Sequence, residues 1–312
     1  MAHTTGNSAH LTRSEVWSSQ LKDVLEDELM ATGYVNWLSE FPDGDTFTIP
    51  SIGQAQVEAY TENESITYAP LDTGEFQLTI TEYLASGIYI TEKAKQDMFY
   101  MNQLVSSFVP KQERAIMEDV EAYVLNLSAS QTAANANQIN GADHRFIATG
   151  TNEVFTTSDF AKARYSLKKA NVPDTNLVAI VDPSVEYTLN TLTNLSNISN
   201  NPMWEGIVSS GIATGMKFIK NVYGFDCYVS NNLATANENI GSPTTAAGKA
   251  NMFFSAAPDV LPFIGAWRQM PKVDSEYNKD RQREEFVVTA RYGAKLFRPE
   301  NLVCILSDTD QV

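Results

Sequence analysis

Histidine and cysteine are the residues this chain has least of: only His3, His10, His144, Cys227 and Cys304 occur among 312 positions. A metal site draws on several His, Cys or carboxylate ligands at fixed spacing, and no two histidines stand four residues apart, so neither zinc chemistry nor any other metal is expected. A Ser/His/Asp triad would have to recruit His144 or one of the histidines in the polar N-terminal tail, and no Gly-x-Ser-x-Gly elbow is present. The turn chemistry of Asn140-Gly141-Ala142-Asp143-His144-Arg145 predicts an exposed imidazole at His144. Gly248-Lys249 is not a phosphate loop: Pro243 stands where the first glycine belongs, and Ala250 where a Ser or Thr would hold magnesium. No cofactor is expected.

Positive charge and long apolar runs are scarce as well. Lys and Arg number 22 against 38 Asp and Glu, a net charge of -16. Such a surface repels phosphate, so nucleic acid is not expected as a specific ligand. No run of about 18 apolar residues exists, so no membrane span is expected, and Met1 to His10 lack the basic start and apolar stretch of a signal peptide. Both cysteines sit in apolar strand-like runs and read as reduced core thiols rather than a disulfide. Hydrophobic residues at 43 % and charged residues at 19 % make an ordinary globular composition. A chain this long buries roughly three quarters of its unfolded surface and needs neither metal nor disulfide.

What is present is a sequence of periodicities. Thr12 and Glu15 have capping-box spacing ahead of a helix with Trp17, Leu21, Val24, Leu25 and Leu29 on one face, stopped at Gly33. From Asp45 to Tyr60, and again from Glu75 to Tyr83, apolar and polar residues alternate. Phe47, Ile49, Ala55, Val57 and Ala59 share one face, as do Phe76, Leu78 and Ile80, which predicts a long two-stranded hairpin. A strand of about fifteen residues at ~3.3 Å each reaches roughly 50 Å, well beyond a compact radius near 20 Å, so the ribbon should project from the body. A lone ribbon is marginal in water and calls for a surface supplied from elsewhere, most simply by a neighbouring copy.

Helical spacing runs from Ala94 to Leu127 through Met98, Met101, Leu104, Val105, Phe108, Ile116, Val120, Tyr123 and Val124, with Pro110 expected to kink or divide it. Ser128 to Gln138 has almost nothing to bury and reads as a mobile loop. Ser158 is the expected cap of a helix burying Phe160, Ala163 and Leu167, followed by a buried strand from Leu177 to Val181 and a helix after Pro183. Strands are expected at Met216 to Ile219, Phe225 to Ser230, Met252 to Ser255, Phe286 to Tyr292 and Leu302 to Leu306. The body is therefore mixed α and β.

Gly215-Met216-Lys217-Phe218-Ile219, followed by Tyr223-Gly224-Phe225-Asp226-Cys227-Tyr228-Val229-Ser230-Asn231-Asn232-Leu233, resembles the glycine-phenylalanine strand and serine-asparagine turn of major capsid proteins of tailed bacteriophages. Arg291-Tyr292-Gly293-Ala294-Lys295-Leu296-Phe297-Arg298-Pro299-Glu300-Asn301-Leu302-Val303 is similar to that family's closing strands. The resemblance implies an α+β Hong Kong 97-like capsid fold. Its parts would be an N-terminal arm (1–40), an extended hairpin loop (41–92), a spine helix and peripheral domain (93–182), an axial domain (183–270) and the peripheral return strands (271–312). It further implies a non-enzymatic shell subunit that forms hexamers and pentamers of itself and encloses double-stranded DNA without sequence-specific contact. The short segment before the hairpin implies a separate scaffolding protein beside a portal, with assembly in a bacterial cytoplasm. An encapsulin-type nanocompartment shares the fold and stays open as an alternative, as does an acidic hydrolase with paired carboxylates.

One charge pattern suggests how copies would meet. Between Phe41 and Glu92 there is no Lys or Arg, while Glu58, Glu62, Glu64, Asp72 and Glu75 are among its acidic residues. Such an arm should seek a basic surface on a neighbour. The helix bearing Lys162, Arg164, Lys168 and Lys169, and the loop bearing Lys279, Arg281 and Arg283, are the expected receivers.

Overall fold

The computed structural model describes residues 29–38, 46–52, 73–97, 101–130, 138–191, 221–236 and 248–308, with a few positions between 59 and 65. The expected helix from Thr12 and the strand at Met216 to Ile219 lie outside these residues. The strands are β1 (Val35–Leu38), β2 (Thr46–Ile52), β3 (Thr73–Thr79), β4 (Glu82–Thr91), β5 (Gln138–Ile139), β6 (Ala142–Asp143), β7 (Arg145–Ile147), β8 (Leu177–Val181), β9 (Asn221–Val222), β10 (Phe225–Val229), β11 (Thr235–Ala236), β12 (Gly248–Ser255), β13 (Phe263–Asn278), β14 (Arg283–Leu296) and β15 (Val303–Asp308). The α-helices are α1 (Glu92–Asp97), α2 (Met101–Asn126), α3 (Thr157–Lys169) and α4 (Pro183–Thr191).

The first sheet has the order β1-β13-β14-β4. Its centre is the antiparallel β13–β14 hairpin, far longer than the Phe286 to Tyr292 strand expected, because alternation runs on through Asp274 and Glu276 and Pro271 is taken up at the register shift between Gln269 and Lys272. β1 joins one edge in parallel, where Gly265 leaves room for Trp37: a Cβ there would stand 2.6 Å from its ring. α2 covers one face, burying Ile116 and Val120 against Val288, Ala290 and Tyr292. The helix runs unbroken through Pro110, which is exposed, so the only loss is one backbone bond in an element held by packing. Inward positions up to Phe108 lie outside the described side chains.

The second sheet runs β7-β15-β12-β8-β10-β9, with β11 beside the start of β12. β8 is buried at every residue, as a central strand covered on both faces must be. On one side Phe155, Phe160, Phe225 and Phe253 meet, with ring centroids 5.2 to 5.5 Å apart for the Phe160–Phe253, Phe225–Phe253 and Phe155–Phe160 pairs. α3 delivers Phe160, Ala163 and Leu167 into this core. Its cap is Thr156, not Ser158: Thr156 and Asp159 form the reciprocal capping box, and the Ser158 hydroxyl joins only the local side-chain cluster. At the end of α2, Val124 and Leu125 share one cluster with Val178, Ile180, Met252 and Phe254 of this sheet and Phe263 and Leu296 of the other. The helix thus ties both sheets to one core.

Two expectations from local composition fail here. Residues 127–130 form a 3-10 turn with Ser128 buried, its carbonyl accepting from Arg145 Nη1 at 2.9 Å; residues 131–137 lie outside the described set. His144 is fully buried, not exposed. The turn is real, with Asn140 and Gly141 at positive φ, but it belongs to the β5–β6 hairpin, and the chain leaves it straight into the sheet. There the Cys304 N–H donates to the His144 carbonyl at 2.8 Å, and Nδ1 lies 3.0 Å from the Ala142 carbonyl. Burial pushes the imidazole pKa below its usual value.

β2 and β3 pair antiparallel from Thr46–Thr79 to Ile52–Thr73 as a separate two-stranded sheet. Phe76, Leu78 and Ile80 turn inward as the alternation required, and Pro50 is tolerated because its position in a ribbon has one open side. The alternation does not continue into one strand to Tyr83. The chain breaks at Ile80 and Thr81, pressed against β14 where a Cβ on Gly293 would stand 2.7 Å from the Thr79 carbonyl, and β4 then enters the first sheet.

Candidate assembly surfaces

Among the described residues, the β2–β3 ribbon is fastened at its root. Leu78 and Ile80 are buried with Ala266, and Phe76 packs edge-on to Phe297 with centroids 4.9 Å apart. Lys295 donates to the Gln77 carbonyl at 3.1 Å and its ammonium stands 5.0 Å from the Phe76 ring centroid. Lys295 therefore holds the ribbon from within the subunit, a role that reading charge as surface pattern did not anticipate. Glu75 is exposed on β3 and accepts from Gln77 Nε2 at 3.0 Å, and Glu62 is exposed at a turn. Glu58, Glu64 and Asp72 lie outside the described residues.

The two expected basic receivers differ in character. On α3, Arg164 grips Asp174 with Nε and Nη2 at 3.1 and 2.5 Å, Lys168 adds a contact at 2.9 Å, and Lys162 pairs with Asp143 at 3.2 Å. These cations hold the Asp174 carboxyl below the usual carboxylate range. Burial alone would raise the Asp143 carboxyl, but hydrogen bonds from Gln138 and Lys162 bring it down. This helix face is largely neutralised at home.

Lys279 and Arg281 are exposed at the tip of the β13–β14 hairpin. Arg283 is different: its Nε meets Glu285 at 2.5 Å and its guanidinium lies 4.4 Å from the Tyr89 ring centroid. The pairing, helped by Asn278 Nδ2 at 3.2 Å, holds the Glu285 carboxyl down. Nearby, Lys95 on α1 forms a close ion pair with Glu284, which raises the lysine pKa and pins α1 to β14. Among the described residues, no hydrogen bond or ion pair joins Glu62 or Glu75 to Lys279 or Arg281. Within one chain these groups do not meet.

Two features were missed in the sequence. Glu121 is buried on α2, where its Oε2 accepts from the backbone N–H of Met30 at 2.7 Å and of Ala31 at 3.1 Å. An acid embedded in Val120-Glu121-Ala122-Tyr123-Val124 was the available signal. Tyr83 and Tyr89 stand on the uncovered face of the first sheet, 63 % and 59 % exposed. Neither cysteine is in a disulfide, as expected: Cys304 is buried and Cys227 half-buried, where burial and then Asp226 push its pKa up to about 12. Among the described residues no group of three His, Cys, Asp or Glu is placed to hold a metal ion, and no helix is long and apolar enough to cross a membrane.

A body of two sheets on one long helix, a separate two-stranded ribbon and a charged hairpin tip defines a structural subunit whose working parts are contact surfaces. Residues 74–305 match the phage capsid protein family, and the chain belongs to that family. It is a capsid subunit, not an enzyme. Its fold is that of solved capsids: that of cyanophage P-SCSP1u at TM-score 0.73 and 14 % identity, covering 98 % of this chain and 95 % of that one. A second likeness is to Mycobacterium phage Che8 at TM-score 0.69 and 16 % identity, covering 94 % and 97 %. A third is to the capsid of a native GTA particle at TM-score 0.66 and 11 % identity, covering 98 % and 99 %. No curated protein matches the chain.

Proposed function

We propose that the chain builds the icosahedral head of a tailed phage, associating with itself as hexamers and pentamers around packaged double-stranded DNA. Assembly takes place in the bacterial cytoplasm on a separate scaffolding protein beside a portal. Membership of the phage capsid family favours a genome as cargo over the enzyme of a nanocompartment. The observation that carries self-assembly is the β2–β3 ribbon, which shares no ladder with either sheet and needs an external surface to be worth keeping.

In this reading 1–40 is the arm, 41–92 the interlocking hairpin, 93–182 the spine and peripheral domain, 183–270 the axial domain and 271–312 the return. β13 runs from Phe263 to Asn278 across the last boundary, with its register against β14 shifting between Trp267 and Lys272. The acidic residues Glu58, Glu62, Glu64, Asp72 and Glu75 of one copy face the basic tip of the next, with Lys279 and Arg281 as receivers and Arg283 as part of their support. The net charge of -16 keeps the lumen from gripping DNA. Deleting Thr61 to Pro70 should leave a folded subunit that closes no shells, scored by circular dichroism and negative-stain electron microscopy. Normal particles from the deletion would sink the reading.

A further inference from the structure

We propose that Glu82, Asp119 and the buried hydroxyl of Tyr292 form a site for a hard divalent cation, calcium, between α2 and the start of β4. The donors are all oxygens and come from three separate elements, so a search for His and Cys ligands at fixed spacing passes over them. Two of them are carboxylates and the third is a phenol. The site lies within one subunit and does not depend on the shell reading.

Register and packing bring the three groups together. Tyr292 and Glu82 are direct partners across the β14–β4 ladder, which places their Cβ atoms about 4.5 to 5.5 Å apart. Both turn to the covered face: Tyr292 lies in the cluster that α2 buries, and Glu82 begins the half-buried row continued by Leu84, Ser86 and Ile88. From the helix side, Tyr123 packs edge-on to Tyr292 with centroids 5.4 Å apart. Asp119 stands one turn before Tyr123 on the same face of α2, its Cβ about 5 to 6 Å away. Asp119 is exposed and Glu82 half-buried, so an ion has a way in from solvent.

Tyr292 is fully buried, yet its Oη makes no hydrogen bond, whereas the hydroxyl of its neighbour Tyr123 donates to the Ala294 carbonyl at 3.3 Å. A buried hydroxyl without a partner is costly. Burial, then the charges of Asp119 and Glu82, push its pKa up, so it stays a neutral oxygen donor. Neither acid is neutralised at home: among the described residues Glu82 accepts from the Thr81 hydroxyl at 3.1 Å, and Asp119 has no hydrogen bond or ion pair. Basic side chains on the same elements are directed elsewhere. Arg114 pairs with Glu118 at 3.1 Å, Lys111 lies more than two turns before Asp119, Arg291 follows the alternation to the opposite face, and Lys295 donates to the Gln77 carbonyl. Two unneutralised carboxylates beside a neutral oxygen are the donor set of a hard cation. Calcium, which accepts irregular geometry and completes its shell with water, suits donors from separate elements better than magnesium. Glu82 follows directly on the break at Ile80 and Thr81, so the ion pins the start of β4 to the long helix just where the ribbon leaves the body.

The test uses the isolated full-length subunit, first stripped with a chelator. Calcium chloride should raise its thermal midpoint. Terbium should bind at one site per chain with luminescence sensitised by Tyr292 and the adjacent Trp267, and calcium should displace it. Asp119→Asn and Glu82→Gln should each weaken calcium binding about tenfold or more. Tyr292→Phe, which keeps the ring, should also lose the calcium-dependent rise, while being at least as stable as wild type in chelator because no hydroxyl is left stranded. A midpoint that calcium leaves unmoved would overturn the proposal, as would binding that these substitutions do not alter and that therefore belongs to the acidic surface at large. Particle yield lost in Asp119→Asn with calcium binding unchanged would overturn it too, making the acidic pair a seat for a neighbour's basic residue. Each of these outcomes leaves the shell reading standing.

Discussion

His144 and Glu121 show how single buried polar groups set conditions for the whole subunit. The imidazole titrates below its ordinary value near 6.5 because burial disfavours the cation. Below that ordinary value the unfolded chain takes up a proton that the folded one refuses, so folding stability should fall as pH drops from 6.5 toward the depressed folded value, and stay flat above it. Thermal unfolding of the subunit at pH 5 and pH 7.5 would reveal the slope, and His144→Asn should flatten it. Glu121 has a different duty. Its carboxylate satisfies the backbone donors of Met30 and Ala31 where the chain enters the body, and Glu121→Ala should cost about 1 to 3 kcal/mol by stranding them. Urea denaturation measures that loss, and an unchanged midpoint would show that water replaces the acid. The burial of His144 was not legible in the sequence, because a turn motif looks alike on a surface and in a core, whereas that of Glu121 was signalled only by its apolar neighbours Val120, Ala122 and Val124.

At the scale of elements, periodicity carried far. The inward faces of α3 and β3 and the bounds of β8 follow from spacing alone, since burial on one face leaves a repeat that any reader can count. What spacing could not supply was partnership. The Lys162, Arg164 and Lys168 face looked available until Asp143, from the preceding hairpin, and Asp174, just past the end of the helix, were brought beside it. The β13–β14 tip likewise separates into two parts: Arg283 supports its own strand, whereas Lys279 and Arg281 face outward. Reversing Lys279 and Arg281 together to Glu should therefore impair assembly, more so at low salt where repulsion is least screened, while leaving the monomer's stability within about 0.5 kcal/mol. Light scattering during assembly across ionic strengths would check it, and identical traces would remove the tip from the interface. Arg283→Glu is a poorer probe, since it would also set two carboxylates side by side within one subunit.

For the whole molecule, the Hong Kong 97-like resemblance rather than periodicity identified the fold, because two short motifs in the right order carry topology that no local pattern encodes. The same scale decides how copies are held. In that fold's namesake a hairpin lysine is joined to a neighbour's asparagine, but from Phe41 to Glu92 this chain offers no amine. Lys95, just beyond, is engaged by Glu284. Cohesion then rests on buried area, strand pairing and charge, all reversible in hot detergent. Assembled particles boiled in detergent should run as one band near 34.5 kDa. A ladder surviving reductant would show a covalent weld.

The parallel pairing of β1 with β13 has a consequence in time. Val35 to Leu38 leave the ribosome more than two hundred residues ahead of their partners, Phe263 to Ala266. Throughout that interval Trp37 has no ring of Trp267 to stack on and no Gly265 to lie against. Closing so long a loop is slow, and a waiting apolar segment is exposed to wrong partners, including the same segment on a neighbouring nascent chain. Ribosome-bound chains halted before residue 263 should be cut readily by protease near Trp37, and chains halted well after Leu296 should resist. The order of synthesis thus leaves β1 waiting for a partner made more than two hundred residues later, and a crowded polysome becomes a place where this subunit is easily lost.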